Sequence, residues 1–199
     1  ASSRFMQSLQ QVLNKNEFHL LLGCHEHNQH KEAEILMTLL QSNPAALVIF
    51  GSQLAEKTWQ ILEKANIPTI NVVGSPFSQA KISLETAFFE AAHKLTEHLL
   101  DQGYKNIGFI GAHMDNRLQR QQLNGWHKAM LSRYQNSDQV ITTPEAASLQ
   151  FGRYALTEIL QRQPELDAVI CSHEEIALGI MFECQRRLLK IPGNIAVAC

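Results

Sequence analysis

The sequence predicts an α/β protein of parallel sheet flanked by helices, built either as one sheet or as two lobes. Three observations carry this. Short apolar runs recur along the chain, and amphipathic helical stretches separate them. The runs also lack the polar alternation of a sheet with one wet face, so each strand is expected to be covered on both sides.

Taken in order, a helix over 3–16 places Phe5, Leu9, Val12 and Leu13 on one face, and "FHLLLG" (18–23) reads as the first strand. A helix over 31–42 aligns Ala33, Leu36, Met37 and Leu40, and "ALVIFG" (46–51) follows as a strand. A helix over 54–65 leads through Pro68 into the strand "TINVVG" (69–74). Proline there ends the helical geometry and favours an extended approach. The widest gap between strands, 75–105, contains "AKISLET", read as an extended segment between lobes, and then a helix over 87–102. "NIGFIG" (106–111), "QVITT" (139–143), "DAVICS" (167–172) and "NIAVA" (194–198) are the remaining strands. Helices over 117–133, 149–163 and 174–188 connect them, and Pro192 stands before the last strand as Pro68 does earlier. The crossover falls near residue 84, giving an N-terminal lobe over 1–84 and a partial C-terminal lobe over 85–199. The chain stops on an apolar strand, "NIAVAC", so a fragment is expected.

Composition narrows the function classes. A chain of 199 residues with 45% hydrophobic and 18% charged residues is ordinary for a globular protein. Its net charge of −2 comes from mixed signs, without a Lys/Arg-rich face to neutralise phosphates. The apolar runs are far shorter than the ~20 residues of a membrane span, and the N-terminal residues have no signal-peptide pattern. Cys24, Cys171, Cys184 and Cys199 are widely spaced, as expected of reduced thiols in a cytoplasmic protein.

Ligands of open parallel sheets bind beyond the carboxyl ends of the strands. The residues just past those ends are Cys24, His25, Glu26 and His27; Ser52 and Gln53; Ser75; His113, Asp115, Asn116 and Arg117; and Ser172, His173 and Glu174. In "CSHEE" (171–175), Ser172 or His173 caps the following helix, with or without a ligand contact, or the cluster holds a metal. The spacing of Cys171, His173 and Glu174 lacks the second ligand pair that zinc wants. In "CHEHNQH" (24–30), Cys24 and His25 are candidate ligand contacts, and the later histidines read as a solvated loop. Arg117 and Arg120 open a helix, where a planar guanidinium can clamp a carboxylate or hydroxyls; a solvated face is the alternative. No nucleophile elbow and no glycine-rich phosphate loop is visible, so an enzyme is not expected. Neither a cofactor nor a bound metal is expected.

On these residues a family resemblance rests. "DAVICSHEEIALGIMFECQRRLLKIPGNIAVA" resembles the effector-binding core of LacI/GalR-type transcriptional regulators. "HLLDQGYKNIGFIGA" (98–112), "NGWHKAM" (124–130), "LLQSNPAALVIFG" and "ILEKANIPTINVV" are similar to further segments of that core. "GAHMDNR" and "FECQRRLLKIP" look most like the gluconate-type repressors. The resemblance implies a periplasmic-binding-protein-like fold, incomplete at both termini, with a first core strand before Ala1 and the last part of both lobes after Cys199. It implies a small sugar or sugar-acid effector, a homodimer, and operator DNA held by an N-terminal helix-turn-helix outside this chain.

By position, the resemblance puts the cleft acid on Glu85, where the family usually has Asp-Asn, and the Asn-Asp turn on His173 and Glu174. Its arginine falls on Arg117, beside Asp115 in "MDNR". Its second arginine falls on Gln122, with Arg120 as the candidate substitute. The expected function is that of a sugar- or sugar-acid-responsive repressor's effector domain. An extracytoplasmic sugar-binding protein of a transport system shares the fold and is the alternative.

Overall fold

A computed structural model describes residues 2–25, 28–50, 54–72, 82–84 and 87–199. The chain divides into two compact units, Ala1–Glu85 and Thr86–Cys199.

The first unit holds helices α1 (Ser2–Lys15) and α2 (Gln29–Leu40), strand β1 (Leu47–Phe50), helix α3 (Glu56–Ala65) and strands β2 (Thr69–Val72) and β3 (Ile82–Leu84). The strands form a parallel sheet in the order β1-β2-β3, with Val48 opposite Ile70 and Asn71 opposite Ser83. Its core gathers Leu36, Leu47 and Leu62, with Trp59, Ile49 and Ile61 partly buried against them. Ala55, at the N-cap of α3, has no side chain to satisfy the helix's free N–H groups. The buried Glu32 carboxylate of α2 takes that role, accepting the Ala55 N–H at 3.0 Å. At the other end of α3, Asn66 adopts the left-handed conformation (φ 48°) and returns its N–H to Leu62. Asn tolerates that geometry, and the turn delivers the chain through Pro68 into β2.

The expected strand over 18–23 does not form. These residues join no sheet, and Phe18, Leu21 and Leu22 are exposed. A groove of about 690 Å³ is lined by Leu20–Leu22, by Ala46–Phe50 and by residues of α1 and α2. Apolar β-branched and leucine-rich composition favours a strand only where a neighbour supplies the ladder, and this run has none among the described residues. Conversely, the segment read as a linker contributes β3 to the sheet.

The second unit holds α4 (Phe88–Asp101), β4 (Ile107–Gly111), α5 (Arg117–Ser132), β5 (Val140–Thr142), α6 (Leu149–Arg162), β6 (Ala168–Cys171), α7 (Glu174–Arg186) and β7 (Ala196–Ala198). Its parallel sheet runs β5-β4-β6-β7. Every residue of β4 and β6 is buried, because both sheet faces are covered. Ile107, Phe109, Ala168 and Ile170 join the cluster containing Trp126 and Met130 of α5. Ile110, Val169 and Cys171 point the other way, into the cluster containing Leu156 of α6 and Ile180 of α7. This two-sided covering is why the strand sequences show no polar alternation.

Two glycines let the helices approach. A Cβ on Gly125 of α5 would stand 2.2 Å from the Phe89 carbonyl oxygen of α4. One on Gly179 of α7 would stand 2.3 Å from the Leu149 carbonyl of α6. Asp167 fastens the starts of β4 and β6, accepting the Lys105 and Asn106 N–H groups at 2.9 and 3.0 Å. Among the described residues, no helix is long and apolar enough to cross a membrane.

Candidate functional site

The carboxyl ends of β4 and β6 are neighbours, since Ile110 is in register with Cys171. Beyond them the chain makes two turns that are tied together. Ser172 donates its N–H to the Ile110 carbonyl at 3.0 Å, and its Oγ accepts the Ala112 N–H at 3.0 Å. The same Oγ lies 2.7 Å from His173 Nδ1. The His173 ring in turn rests against the ring of His113, with centroids 5.4 Å apart and planes tilted by 59°.

His113 sits in the left-handed region (φ 53°), which turns the chain sharply out of β4. Its N–H donates to the Glu145 carbonyl at 3.0 Å, and the Met114 N–H donates to Thr143 at 3.2 Å, so the turn is also bound to the segment after β5. Asn116 then caps α5, its Oδ1 accepting the Leu118 N–H at 2.9 Å. Arg120 reaches back one helical turn, and its Nη1 donates to the carbonyls of Met114 and Asp115 at 3.1 and 2.9 Å. That guanidinium braces the loop. Arg117, the first residue of α5, is exposed, as is Asp115.

His173 is the N-cap residue of α7 in backbone terms (φ −141°, ψ 149°), yet its side chain makes no cap bond. Half-buried, the imidazole has its pKa pushed below the usual histidine range by burial, then by the nearby His113; Glu175 acts the other way. Glu174 and Glu175 are exposed in the first turn of α7, where carboxylates favour the helix dipole. Burial pushes the Cys199 thiol up, and the charges of Glu174 and Glu175 add to that effect. Cys171 is also raised, by its burial in the sheet and then by the nearby Cys199.

The sequence-expected residues therefore divide. His173, Glu174, Arg117, Asp115 and Arg120 all lie at the strand exits of the second unit. Cys24 is exposed, and the half-buried His25 lines the groove of the first unit near Glu32. Glu85 lies outside the described residues, as do Glu26, His27, Ser52, Gln53 and Ser75. Among the described residues, no three His, Cys, Asp or Glu side chains converge as a metal-binding set. His113, also a strand-exit residue by sequence, is brought against His173 by the structure.

Residues 96–199 match the family described as a periplasmic-binding-protein-like domain. The crystal structure of a PurR family transcriptional regulator from Vibrio parahaemolyticus superimposes with a TM-score of 0.91 at 42% identity, covering 98% of this chain and 72% of that one. A LacI family transcriptional regulator from Silicibacter pomeroyi gives a TM-score of 0.85 at 27% identity, covering 96% and 72%. The HTH-type transcriptional regulator GntR of Escherichia coli K12 is 26% identical over 193 residues, or 97% of this chain. The chain spans 58% of that relative's length.

Proposed function

The chain belongs to the periplasmic-binding-protein-like domain family of LacI-type transcriptional regulators, and on that premise we propose that it is the effector-binding domain of a sugar-acid-responsive repressor. The observation that carries the effector site is the tied pair of strand exits, where His113 and His173 face each other and Arg117 opens the next helix. That arrangement supports a small hydroxylated anion as ligand. Arg117 holds its carboxylate in a bidentate fork, His173 sets orientation, and Glu174 accepts hydrogen bonds from the hydroxyls. Asp115 belongs to the same proposal as a further contact; Glu85, Cys24 and His25 are proposed ligand contacts of the first unit. Arg120 acts indirectly, by holding the 113–116 turn. Gluconate, the effector suggested by "GAHMDNR" and "FECQRRLLKIP", is the first candidate.

Effector binding favours one state of the regulator, and operator DNA, bound by a helix-turn-helix outside this chain, reads the difference. Tenfold weaker operator binding needs ~1.4 kcal/mol of discrimination between the states. The protein acts in the cytoplasm, without catalysis, as the regulators similar to it along nearly its whole length suggest; those relatives favour this reading over a transport protein.

The regulator works as a homodimer. On α7, Leu178, Met181 and Phe182 are 47%, 46% and 53% exposed at helical spacing, an apolar face suited to a second copy. Phe182→Glu converts dimer to monomer in analytical ultracentrifugation without unfolding the chain; an unchanged sedimentation coefficient removes this face from the interface. For the effector site, Arg117→Ala lowers D-gluconate affinity about tenfold in calorimetry and leaves D-glucose nearly unaffected. Equal losses for both sugars would rule out the carboxylate role.

A further inference from the structure

We infer that Ser172 is a positioning residue that fixes the tautomer of His173, so that the imidazole offers Nε2–H as a donor and the site selects a ligand with an acceptor oxygen at that point. The inference rests on the effector-site reading and adds the chemistry of one contact. The Ser172 hydroxyl has one proton and two polar neighbours, the Ala112 N–H at 3.0 Å and His173 Nδ1 at 2.7 Å. An amide N–H cannot accept, so Nδ1 is the one neighbour of the two that can take the hydroxyl proton. With it there, Nδ1 is the unprotonated ring nitrogen and the imidazole proton sits on Nε2, whereas the opposite tautomer would have Nδ1–H donate to the second lone pair of Oγ.

Two further features hold the ring in place. The His113 ring packs against one side of the imidazole. Ser172 itself is anchored twice, through its N–H to Ile110 of β4 and its Oγ to the N–H of Ala112 just past it. The donor direction at Nε2 is thus set by backbone rather than by a mobile side chain, which is how a recognition contact keeps its geometry. A neutral, Nε2–H imidazole accepts a carboxylate or hydroxyl oxygen as partner and disfavours an ammonium group, which has no lone pair to offer.

The test uses the full chain with 15N-labelled histidine, observed by two-bond 1H–15N correlation above the pH range of imidazole protonation. Loss of the signal in His173→Gln assigns it. Wild-type protein and Ser172→Thr, which keeps the hydroxyl, are expected to show His173 as the pure Nε2–H tautomer. Ser172→Ala is expected to show a mixture and to bind D-gluconate about 3–10-fold more weakly in calorimetry, with Ser172→Thr close to wild type. A wild-type His173 protonated on Nδ1, or an unchanged tautomer in Ser172→Ala, overturns the role of Ser172. A changed tautomer with unchanged D-gluconate affinity overturns the ligand-selecting part. The correlation spectra need no ligand: the expected tautomers in a wild-type protein that fails to bind D-gluconate would uphold Ser172 and refute the sugar-acid reading instead.

Discussion

The two units solve the same architectural problem to different depths. In the second, β4 and β6 are buried along their whole length and sandwiched between two apolar clusters, one with α4 and α5, the other with α6 and α7. In the first, Val48 and Phe50 of β1 and Ile82 and Leu84 of β3 are exposed, and the described core centres on three leucines. A central strand of a parallel sheet draws its stability from both faces and both neighbours. The second unit gives β4 and β6 all four. The contrast teaches that identical-looking apolar runs specify very different burial, depending on which partners the chain supplies.

The contrast can be broken by mutation. Trp126, fully buried beside Phe109 with ring centroids 5.8 Å apart, carries the largest load. Trp126→Ala is expected to destabilise the second unit by about 3–5 kcal/mol in urea denaturation followed by circular dichroism. Glu183 comes next. Its carboxylate is 2% exposed and accepts from Arg186 at 2.9 Å, Arg187 at 2.8 Å and Arg153 at 3.4 Å, clasping α7 to α6. Glu183→Gln is expected to lose about 2 kcal/mol at neutral pH.

The hydrogen bond from Arg186 holds the Glu183 carboxyl well below its ordinary 4.5; burial opposes this, and Arg187 and Arg153 add to it. A depressed folded pKa stabilises fully above the unfolded value and is lost as pH falls below it toward the folded one. The wild-type and Glu183→Gln stabilities therefore converge only in acid, below about pH 4.5; parallel curves throughout would deny the ion cluster its role. The smallest effect is expected in the first unit, where Val48→Ser on the exposed edge costs ~0.5 kcal/mol or less. A loss there approaching that of Trp126→Ala would erase the distinction between the units.

Much of the fold was legible because the helices announce themselves. The expected 117–133, 149–163 and 174–188 differ from α5, α6 and α7 only at the last one or two residues. The strands were less secure. "FHLLLG" has strand composition without a ladder partner, and periodicity is blind to whether a partner exists. "ISL" looked like a connector because three residues are too few to show a pattern, and only its register beside Ile70–Val72 makes it β3.

At the site, strand-exit logic located His173, Asp115 and Arg117 at the ends of the second unit's strands. It could not show that Ser172 bonds sideways to Ala112 instead of capping α7, because that bond joins residues 60 apart. Nor could it show that Arg120 is occupied by two carbonyls. The motif "NGWHKAM" carried its physical reason all along: Gly125 admits α4, and Trp126 fills the space behind β4.

Asp167 and Ser172 bracket β6, one side chain bonded to Lys105 and Asn106 just before β4 and the other to Ala112 just after it. Sliding either strand along its neighbour would sever both brackets together with the ladder between them. The pair is consequently braced against shear at both ends. On the effector reading proposed above, a ligand seated against the imidazole would meet that bracing, and the element it adjoins is α7, whose first turn begins at the next residue.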